Sequence, residues 1–223
     1  MTLCVACLSV VAVAQQPQQT PEPKSEPPAT KKNARPAGEA EAAEPFDKLT
    51  PEQMAGRCVT LETEAGDIVV EVLSEAAPES ARNFLNLAAT GAFDTTTFSR
   101  VVKDFVVQGG NVATRETLTQ GLIRRASRKV PDEPNPVKHL RGVVSLARPA
   151  EANAATTHFF ILLNDAPHLD GTFAAFGRVR TGMEVVDKVA AGELDGEKPK
   201  SPVRVRRAKV AQCQPPPADP PKK

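Results

Sequence analysis

The sequence is poor in the residues that build the commoner enzyme sites. Only three histidines occur, His139, His158 and His168. None is spaced as a metal pair on one element, so no metal site and no cofactor is expected. There is no G-x-S-x-G, no Walker lysine loop, no H-E-x-x-H and no dinucleotide G-x-G-x-x-G, which removes the usual signatures of hydrolases, nucleotide-binding enzymes and metalloproteases. Neither sign of charge is in excess. The net charge of +1 excludes a protein built to neutralise nucleic acid or to coat an anionic membrane. Arg124, Arg125, Arg128 and Lys129 form a basic run, but no aromatics interleave with it, and it reads as a solvated loop. No apolar stretch reaches the roughly 18–20 residues that span a bilayer, so no integral membrane span is expected. No internal repeat is present.

Proline is abundant but unevenly placed. Of 21 prolines in 223 residues, seven lie between Gln15 and Pro45 and five between Gln214 and Lys223, leaving nine for the middle of the chain. One domain of about 150 residues with disordered flanks fits this distribution better than two domains. Residues Met1–Ala14 (MTLCVACLSVVAVA) carry no charged side chain and end in the small-x-small pattern Ala12-Val13-Ala14. They read as a secretory signal peptide, although no Lys or Arg precedes the apolar run. A buried helix of the domain and a lipid anchor through Cys7 are the other readings of this segment. Export to the periplasm is expected. The C-x-x-C of Cys4 and Cys7 falls in the segment expected to be removed, and the remaining Cys58 and Cys213 are compatible with one disulfide. Residues 15–45 should form a disordered Pro-rich linker, 46–57 a short lead-in, 58–213 the folded domain and 214–223 a disordered Pro/Lys tail.

Within the domain the pattern is mainly β. Thr50-Pro51-Glu52-Gln53 offers an N-cap with proline at the first helical position. Cys58–Thr63 and Asp67–Leu73 flank a turn. Ala81, Phe84, Leu85 and Ala88 share one face of a helix over Pro78–Thr90, closed by Gly91. Short strands are predicted at Thr97–Val102, Phe105–Gln108, Gly142–Ala147, His158–Leu163 and Ala175–Val179, with a second helix over Met183–Ala191. In the last run, Pro202–Ala211, the apolar parity flips from Val203 and Val205 to Ala208 and Val210, which predicts a β-bulge near Arg206-Arg207. Many short strands with two helices point to a closed antiparallel barrel whose ends the helices cap.

Six short motifs then follow one another along the chain. Phe98-Ser99-Arg100 precedes Phe105-Val106-Val107-Gln108-Gly109-Gly110. Gly142 to Arg148 (GVVSLAR), His158-Phe159-Phe160-Ile161, Leu169-Asp170-Gly171 and Phe176-Gly177-Arg178-Val179 come after. From Cys58 to Gln212 the chain resembles the cyclophilin family of peptidyl-prolyl cis-trans isomerases, in its compact bacterial form with an export signal. That family's fold is an eight-stranded barrel with two helices.

The resemblance implies an enzyme that accelerates X-Pro isomerisation in unfolded or nascent exported polypeptides, with a monomer expected. By match to the family motifs, Arg100, Phe105 and Gln108 are catalytic. Val106, Phe160 and Leu169 help to form the apolar socket for the proline ring, with Phe173 at its rim. Ala147 and Arg148 match the segment whose backbone pairs with the residue before proline. Several positions depart from the family pattern. His158 stands where glutamine is usual, Phe173 where a histidine or tyrosine is usual, and Val106 where methionine is commoner. His168 replaces a tryptophan linked to tight cyclosporin binding. The Gly-rich turn after Gly110 is replaced by Thr117–Lys129. Because the family's first and last strands are antiparallel neighbours, the resemblance implies that Cys58 and Cys213 lie near each other, either bridged or as two free thiols. A proline-binding module with decayed catalysis and an envelope-associated structural protein are the competing readings.

Overall fold

The computed structural model describes residues 43–214. The expected signal segment with Cys4 and Cys7, the linker up to residue 42 and residues 215–223 of the tail lie outside the described residues. A short helix α1 (Pro51–Met54) leads into the hairpin β1 (Arg57–Thr63) and β2 (Gly66–Val72), followed by α2 (Pro78–Ala89). Next come β3 (Arg100–Val102), β4 (Val106–Gly109) and α3 (Gln120–Ala126). The strands β5 (Val143–Leu146), β6 (Phe159–Leu162) and β7 (Ala175–Thr181) precede α4 (Met183–Ala190). A small hairpin, β8 (Leu194–Asp195) and β9 (Lys198–Pro199), leads to the last strand β10 (Val205–Gln212).

Eight strands form one antiparallel sheet in the order β10-β1-β2-β7-β5-β6-β4-β3. The expected closed barrel is corrected here: the sheet is an open half-barrel, and its end strands β10 and β3 do not pair. The reason lies in the chain before β3, where Thr95 adopts a left-handed φ of 60° and the backbone is too irregular to continue a ladder. Scattered hydrogen bonds span the gap instead: Thr95 N–H to Val205 O and Val205 N–H to Thr96 O at 2.8 Å, and Phe98 N–H to Val203 O at 3.0 Å. The β8–β9 hairpin lies along β3, so the edge amides find partners without a strand ladder.

The face of α2 carrying Ala81, Phe84, Leu85 and Ala88 is buried. Phe84 sits among Phe93, Phe159 and Phe176, with ring centroids 4.9–5.3 Å away. Each such ring contributes about 1.5–3 kcal/mol by burial, and close aromatic pairs add about 0.5–1.5 kcal/mol. The parity flip in β10 is a bulge at Arg206, since Glu62 faces Arg207 while Thr63 faces Val205. Cys58 and Cys213 are disulfide-bonded, with Cα atoms 4.9 Å apart.

Four α-helices occur among the described residues rather than two. Thr50 caps α1 through a reciprocal bond with Gln53, and Met54 at its end is fully buried in the core. Helix α3 occupies the segment that replaces the Gly-rich turn, and it corrects the reading of the basic run as a solvated loop. Arg125 is buried, with Nε 2.6 Å from Glu44 Oε1 and Nη2 donating to Asn83 Oδ1 at 2.9 Å. Arg128 pairs with the same Glu44 and Lys129 with Glu151. Glu44 thus makes ordered contacts inside the range read as linker. A seven-residue helix is too short to show a clear apolar period, which is why the sequence pattern passed over it. Among the described residues no helix is long and apolar enough to cross a membrane.

Candidate active site

Strand pairing alone builds the centre of the site. Arg100 on β3 faces Gln108 on β4, Gln108 faces Phe160 on β6, and Phe160 faces Ser145 on β5. Directly paired residues project to the same side of a sheet, so these four form one row. Val106 and Leu162 form part of the next row on that side. Val106, Phe160, Leu162 and Leu169 belong to an apolar cluster separate from the main core, with Phe105, Ala147 and Phe173 partly buried against it. The intervening residues Val101, Val107 and Ile161 point the other way, into the main core. One sheet therefore has two apolar faces, and the second carries this smaller cluster.

Two glycines let the end of β4 pack closely against the core beside this row. A Cβ at Gly109 would lie 2.9 Å from the Phe159 ring, and one at Gly110, where φ is +80°, would lie 2.2 Å from Thr157 O. The Gln-Gly-Gly motif thus lets β4 end against the strand leading to Phe160 without a side chain intervening.

Polar and aromatic groups lie around this cluster. Arg100 donates from Nε to Glu197 Oε2 at 2.6 Å and from Nη1 to Gln108 Oε1 at 3.4 Å. Its side chain is 42% exposed. Phe173 packs edge-on against Phe160, with centroids 5.8 Å apart. The Arg148 guanidinium lies 5.1 Å over the Phe173 ring while its Nε pairs with Asp132. The His168 ring lies 5.5 Å from that of Phe105. Ala147 donates its N–H to His158 O at 2.9 Å, and its own carbonyl accepts no hydrogen bond among the described residues. His158 is half-buried, and burial holds its imidazole below the usual value, favouring the neutral form. All eleven site residues read from the sequence therefore lie on or beside this face.

Two features had no signal in the sequence. Glu197 is 97 positions from Arg100 and looks like any other loop carboxylate. The second is a Ser145–His139–Asp170 chain, with Ser145 Oγ and Asp170 Oδ1 each 3.1 Å from a His139 ring nitrogen. Its residue types match a nucleophilic triad, but Ser145 and His139 are 0% and 1% exposed, so no substrate carbonyl can reach the hydroxyl. It braces the turn carrying Leu169 against β5. The His139 N–H bond and Lys138 hold the Asp170 carboxyl down at about 2. Among the described residues no group of three or more His, Cys, Asp or Glu side chains could hold a metal. A separate cavity of about 340 Å³, bordered by Lys103, Asp104, Arg141 and Asp187, contains none of the site residues, and its Arg141–Asp187 pair at 2.7 Å is already satisfied.

With Ser145 fully buried against His139, the row presents one arginine, one glutamine and one phenylalanine beside the apolar cluster. It suits a reaction that makes or breaks no covalent bond. The sequence profile described as cyclophilin type peptidyl-prolyl cis-trans isomerase/CLD matches residues 58–210. The chain belongs to the cyclophilin-type peptidyl-prolyl cis-trans isomerases. The enzyme is an isomerase with the mainly β cyclophilin fold, and cyclophilin substrates are proline-containing peptides. Among its relatives, the peptidyl-prolyl cis-trans isomerase cypE of Dictyostelium discoideum is 35% identical over 157 residues, covering 70% of this chain and 98% of that protein. Peptidyl-prolyl cis-trans isomerase A of Dickeya dadantii is 32% identical over 164 residues, covering 68% and 83%. A cyclophilin-type isomerase of Cryptosporidium parvum, solved in the presence of the dipeptide Ala-Pro, superposes with a TM-score of 0.61 at 26% identity. It covers 69% of this cyclophilin and 98% of its own chain.

Proposed function

We propose that this cyclophilin isomerises X-Pro bonds in exported polypeptides by Arg100-assisted twisting of the amide. The barrier of about 18–20 kcal/mol is amide resonance. At the twisted transition state the prolyl nitrogen becomes pyramidal and regains a lone pair. A guanidinium aimed at that nitrogen forms a hydrogen bond that strengthens as the bond twists, and only such differential interactions raise the rate. The observation that carries this reading is the Arg100–Gln108–Phe160 row. It sets a charged donor two strands away from the ring that would seat the proline. Gln108 steadies the guanidinium, Val106, Phe160 and Leu169 hold the pyrrolidine, and the open carbonyl of Ala147 can accept from the substrate backbone. A lysine at 100 would lack the planar fork.

The N-terminal run Met1–Ala14 supports export, and a disulfide between Cys58 and Cys213 fits an oxidising compartment such as the periplasm. The compact bacterial, exported, monomeric form is the one proposed. Mass spectrometry of the mature N-terminus checks it: a chain starting at Gln15 agrees, a lipidated Cys7 replaces solubility with anchoring, and an intact Met1 refutes export. For the mechanism, Arg100→Ala should cost about 10²–10³ in rate, measured on a proline tetrapeptide, with peptide affinity much less affected. A folded variant with unchanged turnover would refute it.

A further inference from the structure

Arg100 is the side chain on which the proposed chemistry turns, and the structure shows what holds it. Glu197 lies in the turn of the β8–β9 hairpin, where Asp195 faces Lys198 and Gly196 takes a left-handed φ of 60°. The Glu197 carbonyl accepts the Val101 N–H at 2.8 Å, which fixes the hairpin beside β3. The Glu197 carboxylate is thereby placed next to Arg100 before any side-chain pairing, so little further freedom is lost when Oε2 accepts from Nε at 2.6 Å. Gln108 engages Nη1 from β4 at 3.4 Å. Nη2 has no partner among the described residues. Two acceptors on separate elements thus hold two of the three guanidinium nitrogens and leave the third for substrate. An arginine 42% exposed would otherwise sample many rotamers.

We propose that Glu197 is a positioning residue for isomerisation, fixing the guanidinium plane so that Nη2 is presented to the prolyl nitrogen. This rests on the reading of Arg100 as the donor. The pair is exposed, and exposed ion pairs contribute little to folding. Its signature is therefore a loss of rate without a loss of stability. Glu197→Ala and Glu197→Gln should each be made alone and in an Arg100→Ala background, with kcat, KM and Tm measured on the same proline tetrapeptide. Glu197→Ala should lower kcat about five- to tenfold with KM within about twofold and Tm unchanged. Glu197→Gln keeps an oxygen that accepts the Nε–H and should recover more than half of that loss. In the Arg100→Ala background neither substitution should have a further effect. A Glu197→Ala kcat within twofold of the parent, or above it, overturns the proposal. So does an equal further loss in the Arg100→Ala background. If Arg100→Ala itself keeps the full rate, the reading of Arg100 falls first and takes this proposal with it.

Discussion

Removing the Cys58–Cys213 bridge should destabilise the fold chiefly through the unfolded chain. The bridge spans 155 residues. For a loop of that length the chain-entropy relation gives about 5 kcal/mol at 25 °C, as an upper figure. The folded side should change little. Cys213 N–H still donates to Gly56 O at 2.8 Å, and the β1–β10 ladder from Arg57–Gln212 to Thr63–Val205 does not need the bridge. A net loss of about 2–5 kcal/mol is therefore expected. The assay is urea unfolding of the oxidised protein against the Cys58→Ala/Cys213→Ala double variant. Alanine is the better replacement at 58, because Cys58 is buried and serine would place a hydroxyl there. The midpoint should drop, and the m-value should stay level or rise as the uncrosslinked chain expands. Isomerase turnover of the folded variant should be unchanged. A stability difference below about 1 kcal/mol would refute the entropic argument, and two titratable thiols in protein purified without reductant would refute the bridge itself.

Cyclosporin should inhibit weakly, because an imidazole at His168 offers less apolar face than an indole and sits tilted against Phe105. His168→Trp should tighten binding, and nanomolar inhibition of the unaltered enzyme would contradict this. Acid should destabilise the fold in two steps. His158 titrates below its unfolded value near 6.5, so the unfolded chain binds the extra proton first. Stability present above about pH 6.5 should decline as pH falls through that value, and His158→Gln should remove this slope in Tm. Asp170, held at about 2 against an ordinary 3.8, adds stability above 3.8 that is lost as pH falls toward 2. An Asp170→Asn variant with an unchanged acid limb would refute that assignment.

Much of the fold was legible along the chain because it depends on local periodicity. The spacing of Ala81, Phe84, Leu85 and Ala88 suffices for α2, and the parity flip around Arg206 suffices for the bulge in β10. Alternation also places part of the site. With Val107 and Ile161 committed to the core, Val106, Gln108, Phe160 and Leu162 must face the other way, and the family's motif order says what that second face is for. Other features depended on tertiary structure. Whether β3 meets β10 depends on a few irregular residues around Thr95, and alternation does not register them. That Arg125 is buried against Glu44, 81 positions away, is invisible in a run of basic residues that would look the same in a solvated loop. The same holds for Glu197. Nothing local separates it from the chain's other carboxylates, because an ion pair is chosen by where two distant segments dock. Apolar pattern records which face a residue takes. Which charge stands opposite it is decided only when the sheet curls and the β8–β9 hairpin settles along β3.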